Sequence, residues 1–113
     1  MLADVIPFAP TRERVPLPSF GMVARIQNLV ANSYNIPQDR MRSASQEREY
    51  AWPRQVAMYL ARQVTGKSFP VLGREFGNRD HTTVIFAIAA VERRMAADPI
   101  YRADVDALRE ALR

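Results

Sequence analysis

Apolar residues recur along most of this chain at steps of three and four, the spacing that lines one face of an α-helix. Val23, Ile26, Leu29 and Val30 form the first stripe and predict a helix over about residues 20–33, with Ser19 as its N-cap. Pro37 can open a short helical turn, PQDRM, that points Met41 inward. The polar stretch SASQE reads as a loop. Val56, Leu60 and Val64 repeat at i, i+4 and i+8, with Ala57 and Ala61 beside them, and predict a helix over about residues 52–65. Pro53 then falls in its first turn, where a missing N–H costs little, and Gly66 ends it. A short helix follows over about residues 70–76, opened by Pro70 and carrying Val71, Leu72 and Phe76. Asp80 caps a long helix reaching about Ala97, with Val84, Ile85, Ile88, Val91 and Met95 on its apolar face. Asp98-Pro99 starts a closing helix with the stripe Tyr101, Val105, Leu108 and Leu112.

No segment alternates long enough to predict a strand, so the expected class is all-α, a bundle of roughly five or six helices without internal repeats. Residues 1–18 break the pattern. They carry Pro7, Pro10, Pro16 and Pro18 and no apolar period, and read as an extended arm ahead of a domain spanning 19–113. The arm is either a plain tail or a segment that binds a partner.

Composition narrows the chemistry. A chain of 113 residues, 48% hydrophobic, suits one domain with one core. The absence of cysteine rules out disulfides and thiol chemistry, and a single histidine argues against a structural zinc site. No apolar run approaches the roughly 20 residues of a membrane span. The N-terminus MLADVIPFAP lacks the basic and continuous apolar regions of a signal peptide. The expected setting is cytoplasmic, with no metal, cofactor or membrane.

The net charge is +4, and its placement matters more than its size. Between Arg40 and Arg79 eight basic residues stand against three acidic ones, whereas the flanking segments are close to balanced. A basic cluster is either a solvated face or the footprint of a polyanionic partner.

That cluster ends at GNRDHTTV, residues 77–84, which holds the only histidine, His81. An Asp80-His81 catalytic pair would need a nucleophile or a substrate pocket, and there is no G-x-S-x-G and no second histidine. At a helix start the Asp80 carboxylate is better employed accepting N–H bonds from Thr82 or Thr83. Enzyme chemistry is not expected. TGKS, residues 65–68, resembles the end of a phosphate loop, but the first glycine of that pattern falls on Ala61 and the segment follows a helix rather than a strand.

Short helix, glycine-containing turn and longer helix with polar first positions is the layout of a helix-turn-helix. An ordinary capped helix with an exposed start fits the local pattern as well. The adjoining basic cluster tilts the balance toward DNA. Asp can accept from cytosine N4, Thr can touch a thymine methyl, and a helix N-terminus favours nearby phosphate.

Pro53 to Glu92 reads PRQVAMYLARQVTGKSFPVLGREFGNRDHTTVIFAIAAVE. PRQ-x-AMYLAR and FG-x-RDHTTV resemble the signature of the C-terminal DNA-binding domain, domain IV, of the bacterial DnaA family of chromosomal replication initiators. Weaker resemblance extends over about residues 20–113. It implies a Trp-repressor-like helix-turn-helix bundle that docks its recognition helix in the major groove of double-stranded DNA. Carried over by position, it implies base contacts from Asp80, His81, Thr82 and Thr83. Arg54, Gln55, Arg62, Lys67, Ser68 and Pro70 would contact the DNA backbone, and Arg79 is structural or backbone-facing.

Three departures accompany the resemblance. No ATPase module is present in this sequence, so ATP hydrolysis is not expected. Where the family has a basic loop with an arginine for the minor groove, this chain has Gln46 between Ser45 and Glu47, with Arg42 and Arg48 as substitutes. Asn78 stands at the second position of the usual Gly-Gly turn. Two functions are therefore open. The first is sequence-specific, nucleoid-associated DNA binding that regulates replication or transcription. The second is a protein-interaction module that retains the fold and contacts the initiator or a related ATPase.

Overall fold

The computed structural model describes residues 18–43 and 48–113, and these form helices joined by short turns, without a strand among them. Helix α1 (Pro18–Ser33) presents Val23, Ile26 and Val30 to the core, with Leu29 at its edge. It starts at Pro18, so Ser19 lies inside the first turn and is not the cap; the fixed φ of proline suits the first helical position. Asn35, at φ 58°, ends it in the left-handed region, and the Ile36 N–H returns to the Ala31 carbonyl at 2.9 Å. A 3-10 turn, Gln38–Met41, follows and buries Met41 completely, as PQDRM predicts. The expected loop of residues 43–47 lies mostly outside the described residues.

Helix α2 (Arg48–Thr65) begins four residues before the expected start. Pro53 is consequently inside the helix and buried, where it leaves the Glu49 carbonyl without its i+4 donor. Contacts made by the first turns of α2 offset this. The Arg40 guanidinium lies 5.3 Å from the Tyr50 ring centroid, and that of Arg94 lies 4.2 Å from the Trp52 ring. From Pro53 to Ala61 nearly every side chain is buried, because α1 covers one flank of α2 and α4 the other. Val64 is the exception among the expected core positions of α2, at 38% exposure. Steps of four residues drift by about 40° each on a helix of 3.6 residues per turn, so by Val64 the stripe has rotated out of the core.

Helix α3 (Phe69–Glu75) and helix α4 (His81–Ala97) follow. The buried line of α4 is Val84, Ala87 and Val91, with Ile88 and Met95 packed beside it. Ile85 is also 38% exposed, because that line is narrow and Ile85 lies about 100° from Val84. Helix α5 (Pro99–Ala111) is capped by Asp98, whose carboxylate accepts from the Ile100 and Tyr101 N–H groups at 3.0 and 3.2 Å. Val105, Leu108 and Leu112 seat it, and Arg109 Nη2 donates to the Tyr59 hydroxyl of α2 at 2.9 Å. Among the described residues no helix is long and apolar enough to cross a membrane.

Candidate nucleic-acid interface

The link between α3 and α4 is a tight backbone construction. Gly77 and Asn78 occupy consecutive left-handed positions, φ 92° and 59°, which glycine and asparagine tolerate best. They reverse the chain so that the Arg79 N–H meets the Gly73 carbonyl at 2.8 Å. A Cβ on Gly73 would run into the Arg79 carbonyl oxygen, and one on Gly77 into the Arg42 carbonyl oxygen. Gly73 therefore lets α3 approach the start of α4, and Gly77 lets the turn abut the end of the 3-10 turn. Arg79 adds a bond from Nη1 to the Phe76 carbonyl at 2.9 Å.

The result is a fixed, exposed start to α4. Asp80 is the N-cap, as the sequence predicts, and its Oδ1 accepts from the Thr82 N–H at 3.3 Å. The same oxygen lies 2.9 Å from His81 Nδ1. An Nδ1–H donated there leaves Nε2 of a neutral imidazole as an acceptor directed elsewhere. Asp80, His81, Thr82 and Thr83 are all exposed side by side on the first turn. One end of one helix thus presents a carboxylate, an imidazole and two hydroxyls, beside backbone N–H groups carrying the positive end of the helix dipole. Among the described residues no group of three or more His, Asp or Glu side chains is placed to hold a metal.

The candidate backbone-contacting residues separate into two sets. Ser68 and Pro70 are exposed at the start of α3, where the Ser68 hydroxyl accepts from the Val71 N–H. Gln55 is half-buried, its Oε1 accepting from Arg94 Nη2 at 2.7 Å. Arg62 is also half-buried. Its Nη1 donates to the Lys67 carbonyl at 2.7 Å, and its guanidinium lies 4.4 Å from the Phe69 ring centroid. These four remain at the surface.

Arg54 and Lys67 are engaged inside the fold. Arg54 is 4% exposed and donates from Nε and Nη2 to the Arg40 carbonyl at 3.2 and 2.7 Å. Burial, and secondarily the charge of Arg79, push its pKa down to about 10, so it still carries its charge at neutral pH. Burial also lowers that of Arg79. Lys67 Nζ sits 3.0 and 2.8 Å from the two Glu75 carboxylate oxygens. It is an internal ion pair at the end of α2, far in kind from the lysine of a phosphate loop. Of the loop candidates, Arg42 is exposed, Arg48 starts α2, and Gln46 lies outside the described residues.

Residues 23–91 match the family model described as bacterial dnaA protein helix-turn-helix. The chain belongs to this DnaA family. A chromosomal replication initiator protein DnaA from Gluconobacter oxydans is 48% identical over 90 residues, which cover 80% of this chain and 19% of that protein. One from Symbiobacterium thermophilum is 39% identical over 107 residues, covering 95% and 22%. A solved structure described as a DNA replication initiation factor superposes with a TM-score of 0.75 at 30% identity, over 83% of this chain and 29% of that one. The chain thus spans about a fifth of the length of the curated DnaA relatives it matches.

Within the DnaA fold several residues that shape the site escape sequence reasoning. Gln27 is 2% exposed and donates from Nε2 to the Glu75 carbonyl at 2.9 Å, pinning the end of α3 to α1. Its position on the Val23–Ala31 side of the first stripe was the available signal. Arg94 stacks on Trp52 and donates to the Tyr101 hydroxyl at 3.3 Å as well as to Gln55, so it orients that amide. No local pattern announces this pairing, because its partners are 39 and 7 residues away.

Proposed function

We propose that this chain binds double-stranded DNA sequence-specifically through α3, the Gly77-Asn78 turn and α4, and so regulates replication initiation or transcription by occupancy of a site rather than by chemistry. The observation that supports this most is the first turn of α4, where Asp80, His81, Thr82 and Thr83 are exposed together and held by backbone contacts within the DnaA helix-turn-helix match. Asp80 and His81 Nε2 accept from amino groups of cytosine or adenine, and the threonine methyls pack on thymine. Arg62, Gln55, Ser68 and Pro70 flank them against phosphates and set the register. Arg54 acts from within, as a charged brace that ties α2 to the 3-10 turn and keeps positive potential in the site. The chain's place is accordingly on the nucleoid.

Base readers and phosphate holders predict different losses. Thr82→Ala should weaken a selected site by about 1–3 kcal/mol and leave scrambled DNA nearly unchanged. Arg62→Ala should weaken both and lower the salt slope by about one unit. Equal losses on both DNAs for Thr82→Ala would refute base reading.

The second reading, a module that contacts the initiator or a related ATPase, draws on Ile100. It is 75% exposed at the start of α5, an element none of whose residues is a candidate DNA contact. Ile100→Asp would abolish such an interaction and leave DNA binding intact.

A further inference from the structure

Phe86 is 72% exposed, the most uncovered large apolar side chain on α4. A lone exposed phenylalanine needs no explanation, but the place of this one does. Phe86 follows Thr82 by four residues, so the two lie one above the other on the helix surface, turned away from Val84, Ala87 and Val91. Side chains on a helix lean toward its N-terminus, so the ring leans toward the end that carries the candidate base readers. It also walls a cleft of about 250 Å³ whose other sides include Arg54, Gln55, Arg79 and Thr83. An uncovered ring therefore stands beside a polar helix start and shares a cleft with the half-buried Arg79. An apolar protein plug would cover the ring but would also bury the polar helix start and the half-buried Arg79 charge. Duplex DNA brings polar base edges to that helix start and phosphate to the basic rim of the cleft, and the major groove offers the ring one apolar group, the C5-methyl of thymine.

We propose that Phe86 is a specificity-determining residue that packs its ring on a thymine C5-methyl, one helical turn beyond Thr82. This rests on the DNA reading above. Four residues of helix rise about 6 Å, so the methyl lies within about two base pairs of the step that Thr82 reads.

The test uses a duplex enriched by this chain from a random pool, with each thymine replaced in turn by deoxyuridine, which lacks only the methyl. Affinities are measured by fluorescence anisotropy for the wild type, Phe86→Ala and Phe86→Gln, with folding checked by circular dichroism. One deoxyuridine position should weaken wild-type binding about fourfold, the worth of burying one methyl-sized group. At that position both variants should be insensitive, while they keep their sensitivity at the thymine that Thr82 contacts. A wild type and variants that respond alike at every thymine would overturn the role of Phe86 with DNA recognition left standing. Failure to enrich any duplex would overturn both.

Discussion

Gly73→Ala sets two effects against each other, and the structure decides between them. Gly73 lies inside α3, where alanine ordinarily gains about 1 kcal/mol in helix propensity. Here the new Cβ would meet the Arg79 carbonyl oxygen at a distance that real Cβ contacts essentially never reach. The obstacle is backbone, held by the 2.8 Å bond from the Arg79 N–H back to Gly73, so no side chain can swing aside. Relief requires α3 and the start of α4 to separate. Overpacking of this kind costs about 1–3 kcal/mol, and the strained hydrogen bond about 0.5–1.5 more. Set against the propensity gain, the net is a loss of about 2 kcal/mol. Gly21→Ala is the control. It also lies inside a helix, but nothing lies within 4 Å of its Cβ position, so the propensity gain of about 1 kcal/mol should appear unopposed. Urea unfolding followed by circular dichroism should move the two midpoints in opposite directions, by roughly 1 M or less for each kcal/mol. Specific DNA binding by folded Gly73→Ala should fall as well, because the first turn of α4 shifts. A Gly73→Ala variant as stable as Gly21→Ala would refute the close approach on which the site is built.

Three further outcomes follow from the same geometry. Asp80→Ala should cost about 1 kcal/mol of stability as the cap is lost, whereas Asp80→Ser should keep the cap and lose only discrimination on a selected site; matched denaturation and anisotropy titrations separate the two roles. Lys67→Ala should destabilise by about 1–3 kcal/mol, because the enclosed Glu75 carboxylate loses its partner, yet leave the salt slope of DNA binding unchanged; a lower slope would put Lys67 on a phosphate. Arg94→Met should weaken DNA binding only where Gln55 is present, so the Arg94→Met and Gln55→Ala losses should not add in a double-mutant cycle.

What the sequence discloses and what it hides divide by range. The caps Asp80 and Asp98, the stop at Gly66 and the Gly77-Asn78 reversal are legible because each depends on a few neighbouring residues with fixed backbone preferences. The start of α2 is not, because the rule that places proline in a first turn is overridden by the contact that Tyr50 makes with Arg40 of the 3-10 turn. Val64 and Ile85 mislead because an apolar residue near a stripe need not lie within it once the helix period drifts. In the site, the exposed turn of α4 follows from its cap, whereas the inward commitment of Arg54 and Lys67 does not follow from their charge. Their acceptors, the Arg40 carbonyl and the Glu75 carboxylate, come together only when the bundle closes.

The most direct measurement is equilibrium binding of this chain to a duplex enriched from a random pool and to a scrambled duplex of the same composition, at several salt concentrations. Affinity for the enriched duplex should be roughly 10³-fold or more above that for the scrambled one, with log K falling linearly in log salt on both. Equal affinities for the two duplexes, with the helices intact by circular dichroism, would contradict sequence-specific DNA binding.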